Sequence, residues 1–231
     1  MSRPTALVTG ASAGFGAALA RALIEQGWRV LGTARRADRL TRVAAELGSE
    51  FRAIPGDVTV PADRALLADA ARAEGELGLV VNNASRLGPS PLPRLADYPL
   101  EEFEAVLRTN LLSPLAILQF TLPLLRPGGA VVNISSDAAS EPYPEWGGYG
   151  SSKAALDQVT AILGAEHPDL SIYAFDPGDM RTEMHQAAFP GADISDRPEP
   201  ATVVPALLRL LAERPRSGRY AAADFVAGRA S

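Results

Sequence analysis

Short apolar runs rich in β-branched residues alternate along the chain with longer stretches in which apolar positions recur every three or four residues. The short runs predict strands at residues 5–9, 29–33, 51–55, 79–82, 130–135 and 171–176, with a brief one at 219–222. Helical spacing predicts helices at 15–26, 37–47, 62–75, 100–125, 149–166 and 202–212. In the first helix Ala18, Leu19, Ala22 and Leu23 share a face, Gly48 stops the second, and Pro114 is expected to kink the long fourth one. Strand and helix in turn make βαβ units. The expected fold is therefore α/β: a doubly wound parallel sheet in three layers, α/β/α, built as a single domain over residues 1–231. Proline and glycine cluster at 87–99, 141–148 and 177–200, each after a strand and so at one edge of the sheet. Ligands of open parallel sheets bind beyond the carboxyl ends of the strands, so these loops should line a cleft, the last of them as a mobile lid.

Composition narrows what that cleft can do. At 47% hydrophobic and 21% charged residues, the chain has ample apolar surface for a core, and a net charge of −5 with no basic block disfavours nucleic acid and anionic lipid. Cysteine is absent, which removes disulfides and thiol chemistry and fits a reducing, cytoplasmic location. The two histidines, His167 and His185, have no ligand-spaced partners, so no metal site is expected and surface or loop positions are anticipated for both. The start of the chain lacks the pattern of a signal peptide. The apolar stretch 111–125 is interrupted by Ser113, Pro114, Gln119, Thr121 and Pro123, against a membrane span.

Between the first strand and first helix lies Thr9-Gly10-Ala11-Ser12-Ala13-Gly14-Phe15-Gly16. Three glycines in a strand-turn-helix setting let the backbone approach a pyrophosphate, whose charge the helix N-terminus stabilises. The second strand ends Thr33-Ala34-Arg35-Arg36. An acid there would hold the ribose hydroxyls of NAD, whereas a guanidinium suits the 2'-phosphate of NADP. Ala34 stands in the acid's place, so NADP(H) is expected ahead of NAD(H), with Arg35 as the first ligand and Arg36, Thr33 and Ser12 in support. Tyr149 and Lys153 stand one helical turn apart on one face, and an ammonium beside a phenol is expected to lower its pKa toward the range of acid-base work. Ser136 closes the fifth strand's run, with a hydroxyl that can steady a developing oxyanion; Ser135 is the weaker candidate.

The GxxxGxG turn, Asn82-Asn83-Ala84-Ser85 after the fourth strand, Asn110, Ser136, the Tyr149/Lys153 pair and Asp176-Pro177-Gly178 follow one another in the order of the short-chain dehydrogenase/reductase family, which the chain resembles over nearly its whole length. That resemblance implies a Rossmann-type fold and an oxidoreductase moving hydride between NADP(H) and a carbonyl or alcohol carbon of a small molecule. It further implies that Gly10, Ser12, Ala13, Gly14, Phe15 and Gly16 hold the pyrophosphate, Asp57 and Val58 the adenine, and Asn83, Ala84 and Ser85 the neighbouring loop. Lys153 would hold the nicotinamide ribose beside Tyr149, Pro177 and Gly178 would start the lid, and Thr182 would meet the carboxamide. Asn110 would keep a water in a proton relay, and the chain would assemble as a homodimer or homotetramer through the helix at Tyr149 and the long helix before it. Two departures stand out: Ala13 where many NADP-using relatives carry a basic residue, and Ser85 where the family has glycine. Asp179 receives no role. Trp146 is read either as a pocket wall or as packing beneath its loop, and Met180, Met184 and Phe189 as an apolar lid or ordinary packing. A non-catalytic NADP-binding sensor with the same fold is the alternative, disfavoured by the complete Ser136, Tyr149 and Lys153 set. The short tail after Tyr220 leaves no room for the substrate domain of the family's sugar-nucleotide branch.

Overall fold

In the computed structural model, which describes residues 3–225, the strands are β1 (Thr5–Thr9), β2 (Arg29–Ala34), β3 (Phe51–Pro55), β4 (Leu77–Asn82), β5 (Leu125–Ile134), β6 (Ser171–Asp176) and β7 (Gly218–Ala221). They form one sheet in the order β3-β2-β1-β4-β5-β6-β7, every neighbouring pair parallel. Each strand returns through a helix: α1 (Gly14–Glu25), α2 (Ala37–Leu47), α3 (Pro61–Glu74), α4 (Leu100–Leu107) with α5 (Ser113–Thr121), α6 (Gly147–Glu166), and α7 (Glu183–Ala188) with α8 (Pro200–Glu213). Strand order reverses direction between β1 and β4, and at such a switch point the flanking loops part to leave a crevice.

Period-two geometry sends alternate side chains of each strand to opposite faces. Ala6 and Val8 of β1 therefore join one core with Leu19 and Leu23 of α1 and Leu207 and Leu210 of α8. Leu7 joins the other, with Leu67 of α3, Ile117 and Leu118 of α5 and Leu163 of α6. Because both faces are covered, β1 and β4 are buried at every position, which explains their unbroken apolar runs. Each fully buried Leu or Val side chain contributes about 1.5–3 kcal/mol.

The long fourth helix departs from expectation. Instead of kinking at Pro114, it widens into a π-type turn at Arg108–Leu112 and ends in a tight turn at Leu122–Leu124. Proline lacks the N–H that would bond the carbonyl four residues earlier, so the disturbance falls before it, and Ser113 Oγ donates to the Arg108 carbonyl at 2.7 Å. The stretch Leu100–Leu124 is long and apolar enough to cross a bilayer by length and composition, yet 44% of its apolar window is buried within the protein. β5 also begins earlier than predicted, as Leu125 pairs with Leu77 across an irregular register. The segment 177–200 is not wholly a loop: Thr182 caps α7, its Oγ1 accepting from His185 N at 3.1 Å.

Candidate active site

The floor of the crevice is a joint between two loops. Gly10 has φ +67° and Gly14 φ +55°, conformations that favour glycine, so the turn folds back before α1 begins. Asn83 then locks it: its Nδ2 donates to the Thr9 carbonyl at 2.9 Å and to the Gly10 carbonyl at 3.3 Å, while Thr9 Oγ1 accepts from the Asn83 and Ala84 N–H groups, both at 2.9 Å. A Cβ on Gly16 would lie 2.5 Å from both Asn83 Nδ2 and the Gly10 carbonyl oxygen. Gly16→Ala is thus expected to destabilise the fold by about 2 kcal/mol through overpacking. Thermal unfolding of the ligand-free protein checks this, since a role confined to nucleotide contact would leave the melting temperature unchanged. Ala13 at the N-cap supplies no side-chain cap, so the first N–H groups of α1 have no side-chain acceptor there. The Phe15 ring faces away, into the core against Phe175 at 6.3 Å.

Above this floor the ends of β5 and α6 bring the predicted reactive groups together. Tyr149 and Lys153 lie on the inner face of α6, 9% and 2% exposed. Ser85 and Ser136 stand beside the Tyr149 hydroxyl and favour its ionised form. Lys153 Nζ donates to the Ile134 carbonyl at 2.7 Å and stands 5.4 Å from the Tyr149 ring centroid. The expected lowering of the phenol pKa is not what the protein produces. Burial is the dominant influence and pushes the phenol well above its ordinary value, with Ser85 and Ser136 pulling the other way. Burial also pushes the Lys153 amine down to about 8, although Asp157 and Asp176 favour its charge. Tyr149 therefore keeps its proton across the neutral range.

Two neighbours of this pair were not anticipated as such. Ser85, read as a reshaped glycine position, instead turns its hydroxyl toward Tyr149 and also donates to Asn110 Oδ1 at 3.2 Å. Asp137, absent from the sequence reading, accepts from Ser136 Oγ at 2.9 Å and from Tyr143 Oη at 3.0 Å, which fixes the serine rotor. The Asn110 side chain, 1% exposed, is committed elsewhere: it accepts from Arg86 N at 2.7 Å and donates to the Arg86 carbonyl and Ser152 Oγ, both at 2.9 Å. Pro114 has no N–H to offer the Asn110 backbone carbonyl four residues earlier.

One wall carries arginines. Arg35 is exposed at the end of β2. Arg36 meets Glu183 of α7 at 2.7 Å, and Arg39 pairs with the same carboxylate, so the lid is tied across the crevice mouth. Asp57 shapes its own turn, Oδ1 accepting from Thr59 N and Oγ1, both at 2.8 Å, with Val58 buried beside it. Gly178, with φ +71°, donates its N–H to Asp176 Oδ1 at 2.9 Å and releases the chain into the lid. Thr182 Cγ2 lies 3.5 Å from where a Gly14 Cβ would be, so the lid begins directly over the phosphate-type turn. Trp146 packs into the cluster around Tyr149, its ring 5.8 Å from Tyr149 and 5.9 Å from Phe189. Met184 joins the apolar cluster around Tyr149, whereas Met180 packs on the main core. His185, expected on a surface or loop, lies in α7 with its side chain 9% exposed, tilted against Phe189 with Nδ1 3.6 Å from Asp179 Oδ1, and Asp179 also pairs with Arg197 at 3.4 Å.

Comparison with known proteins places this geometry. Residues 4–193 match the family model described as short chain dehydrogenase. A serine 3-dehydrogenase from Agrobacterium fabrum is 40% identical over 186 residues, covering 78% of this chain and 73% of its own. A short chain dehydrogenase of Shigella flexneri, solved as a complex with NADP, superposes with TM-score 0.89 at 26% identity, covering 96% of this chain and 98% of its own. One from Escherichia coli CFT073, complexed with NADPH, gives 0.87 at 26% identity, with 96% and 97% covered.

Proposed function

Because the chain belongs to the short-chain dehydrogenase/reductase family of oxidoreductases, we propose that it is an NADP(H)-dependent carbonyl reductase acting on a small molecule, with alcohol oxidation as the reverse. The observation that carries this reading is a buried Tyr149 with Ser85 and Ser136 beside its hydroxyl, Lys153 on the same helix face and the glycine turn below.

A dinucleotide fits the crevice: two glycines in left-handed conformations open the turn, and α1 starts without a side-chain cap, leaving donors for a pyrophosphate. Bound there, NADPH would supply the hydride. Backbone groups of Gly10, Ser12, Ala13, Gly14, Phe15 and Gly16 would hold the phosphates, Arg35 and Arg36 the 2'-phosphate, Asp57 and Val58 the adenine, and Asn83, Ala84 and Ser85 the adjoining ribose. Pro177, Gly178 and Thr182 would close over the nicotinamide end. On binding, the Ser136 hydroxyl would turn its proton from Asp137 to the substrate oxygen, and Tyr149 would deliver its proton there as charge develops. Lys153 would return a proton toward Tyr149, resupplied through a water held by the Asn110 carbonyl. A phenol that burial keeps protonated carries the proton that carbonyl reduction consumes. The name of the serine 3-dehydrogenase relative supports chemistry at a hydroxyl-bearing carbon. Exposed Leu100 and Leu112 beside α4 and α5, and Ile162 on α6, support assembly of two or four copies through those helices.

A panel of aldehydes and ketones, read by loss of reduced-nicotinamide absorbance with NADPH and NADH in parallel, tests the assignment. Turnover with NADPH is expected for some member. Arg35→Asp is expected to weaken NADPH binding at least about tenfold more than NADH binding, since charge-assisted bonds to the 2'-phosphate are lost with one cofactor only. Equal weakening of both would remove Arg35 from that contact.

A further inference from the structure

Arg219 stands on β7, 43 or more positions from Ser136, Asp157 and Asp176, yet its guanidinium reaches all three. Nη2 donates to the Ser136 carbonyl at 2.9 Å and to Asp176 Oδ2 at 3.1 Å, and Nε donates to Asp157 Oδ2 at 3.0 Å. Ser136 is the residue beside the Tyr149 hydroxyl, Asp176 begins the lid by accepting the Gly178 N–H, and Asp157 lies one turn along α6 from Lys153. We infer that Arg219 is a positioning residue of the active site, which fixes the Ser136 backbone to the lid hinge and offsets the two carboxylates nearest the Lys153 amine.

Geometry and charge both support this. Asp157 and Asp176 side chains are only 16% and 9% exposed, and Arg219 is their ion-pair partner among the described residues. Asp157 Oδ1 is buried with no hydrogen-bond partner, so its charge is met through Oδ2 and Arg219. Both carboxylates favour the charged form of Lys153, against the burial that disfavours it. The groups facing the amine are thus Tyr149 and Asp157 from α6, Asp176 from β6 and, through those carboxylates, Arg219 from β7, with Asp137 beyond Tyr149. Without the guanidinium, two uncompensated negative charges would hold the proton on Lys153 more tightly. Lysine could replace the charge but not the planar fork that reaches three acceptors.

This inference rests on the reductase reading, so its test includes a readout independent of turnover. Lys153 is titrated by NMR of its labelled ε-carbon in the full-length protein, alongside kcat and KM across pH. In Arg219→Met the Lys153 midpoint is expected to rise by roughly one unit, and kcat to fall at least about tenfold with NADPH affinity within about twofold. Arg219→Lys is expected to return the midpoint but not kcat. Asp157→Asn, which retains Arg219, is expected to move the midpoint the opposite way, and it keeps the inference testable should Arg219→Met not fold. An unchanged midpoint in both Arg219→Met and Asp157→Asn would overturn the proposal, as would wild-type kcat in folded Arg219→Met. A wild type inactive toward every carbonyl would sink the reductase reading while leaving the titration result to stand.

Discussion

Tyr149→Phe is expected to lower kcat by about 10³-fold while NADPH affinity stays within about twofold. The substitution removes one oxygen and keeps the ring that packs against Trp146, so that packing is preserved. Ser85 and Ser136 lose a shared neighbour, but both are only partly buried and can turn to water. The loss falls on proton delivery, because no other hydroxyl in the cluster has both the buried position and the Lys153 neighbour. Steady-state turnover with the best carbonyl substrate, together with fluorescence titration of NADPH, measures the two quantities separately. Turnover persisting near the wild-type level would show that another group carries the proton.

Lys153→Met is expected to abolish turnover and yet make the protein harder to unfold. A buried amine whose pKa lies near 8, below its ordinary 10.5, is one whose charged form the fold disfavours. At neutral pH the unfolded chain holds that proton more readily than the folded one, and the difference opposes folding by up to about 3 kcal/mol. The penalty is complete below pH 8 and is relieved as pH rises from 8 to 10.5, because both states then release the proton. The thioether of methionine fills similar space without a charge, at the loss of one bond to the Ile134 carbonyl. The variant should therefore gain about 1–3 kcal/mol over wild type at pH 7, a rise of several degrees in Tm, and the gain should shrink toward pH 10.5. Differential scanning calorimetry at both pH values decides it. A lower Tm for the variant at pH 7, or a gap that widens with pH, would contradict a strained amine.

These two groups were visible before any coordinates, since Tyr149 and Lys153 are spaced by a helical turn within a helix whose period was plain. The inner strands β1, β2 and β6 were equally legible, because two covered faces force apolar runs whose limits lie within a residue of those predicted. The first misreading came at 108–112: apolar periodicity continues through it, and Pro114 acts at a distance of four residues rather than where it stands. The predicted helix runs to 125 and the next strand starts at 130, whereas pairing with β4 carries Leu125 into the sheet. A signal for α7 did exist, with Thr182 as a cap and Glu183 in the first turn, but the surrounding prolines and glycines masked it. The inverted behaviour of the phenol had no trace in the spacing, because burial is a property of the assembled layers. Asp137 was passed over because its partners, Ser136 and Tyr143, acquire meaning only once the serine rotor is in place. Arg219 and the Glu183 ties to Arg36 and Arg39 join residues 40 or more positions apart, which no local pattern records.

The interlock of Gly10 and Gly16 with Asn83 has a bearing on how this scaffold can diversify. The first and fourth strand ends are keyed together by close packing, so that region behaves as a fixed chassis. Residues 179–199, attached through Gly178 and held at their far side by exposed ion pairs, form a detachable fitting. Under the proposed function, grafting a different segment between the Gly178 hinge and the start of α8 is expected to remodel selectivity with the base left intact.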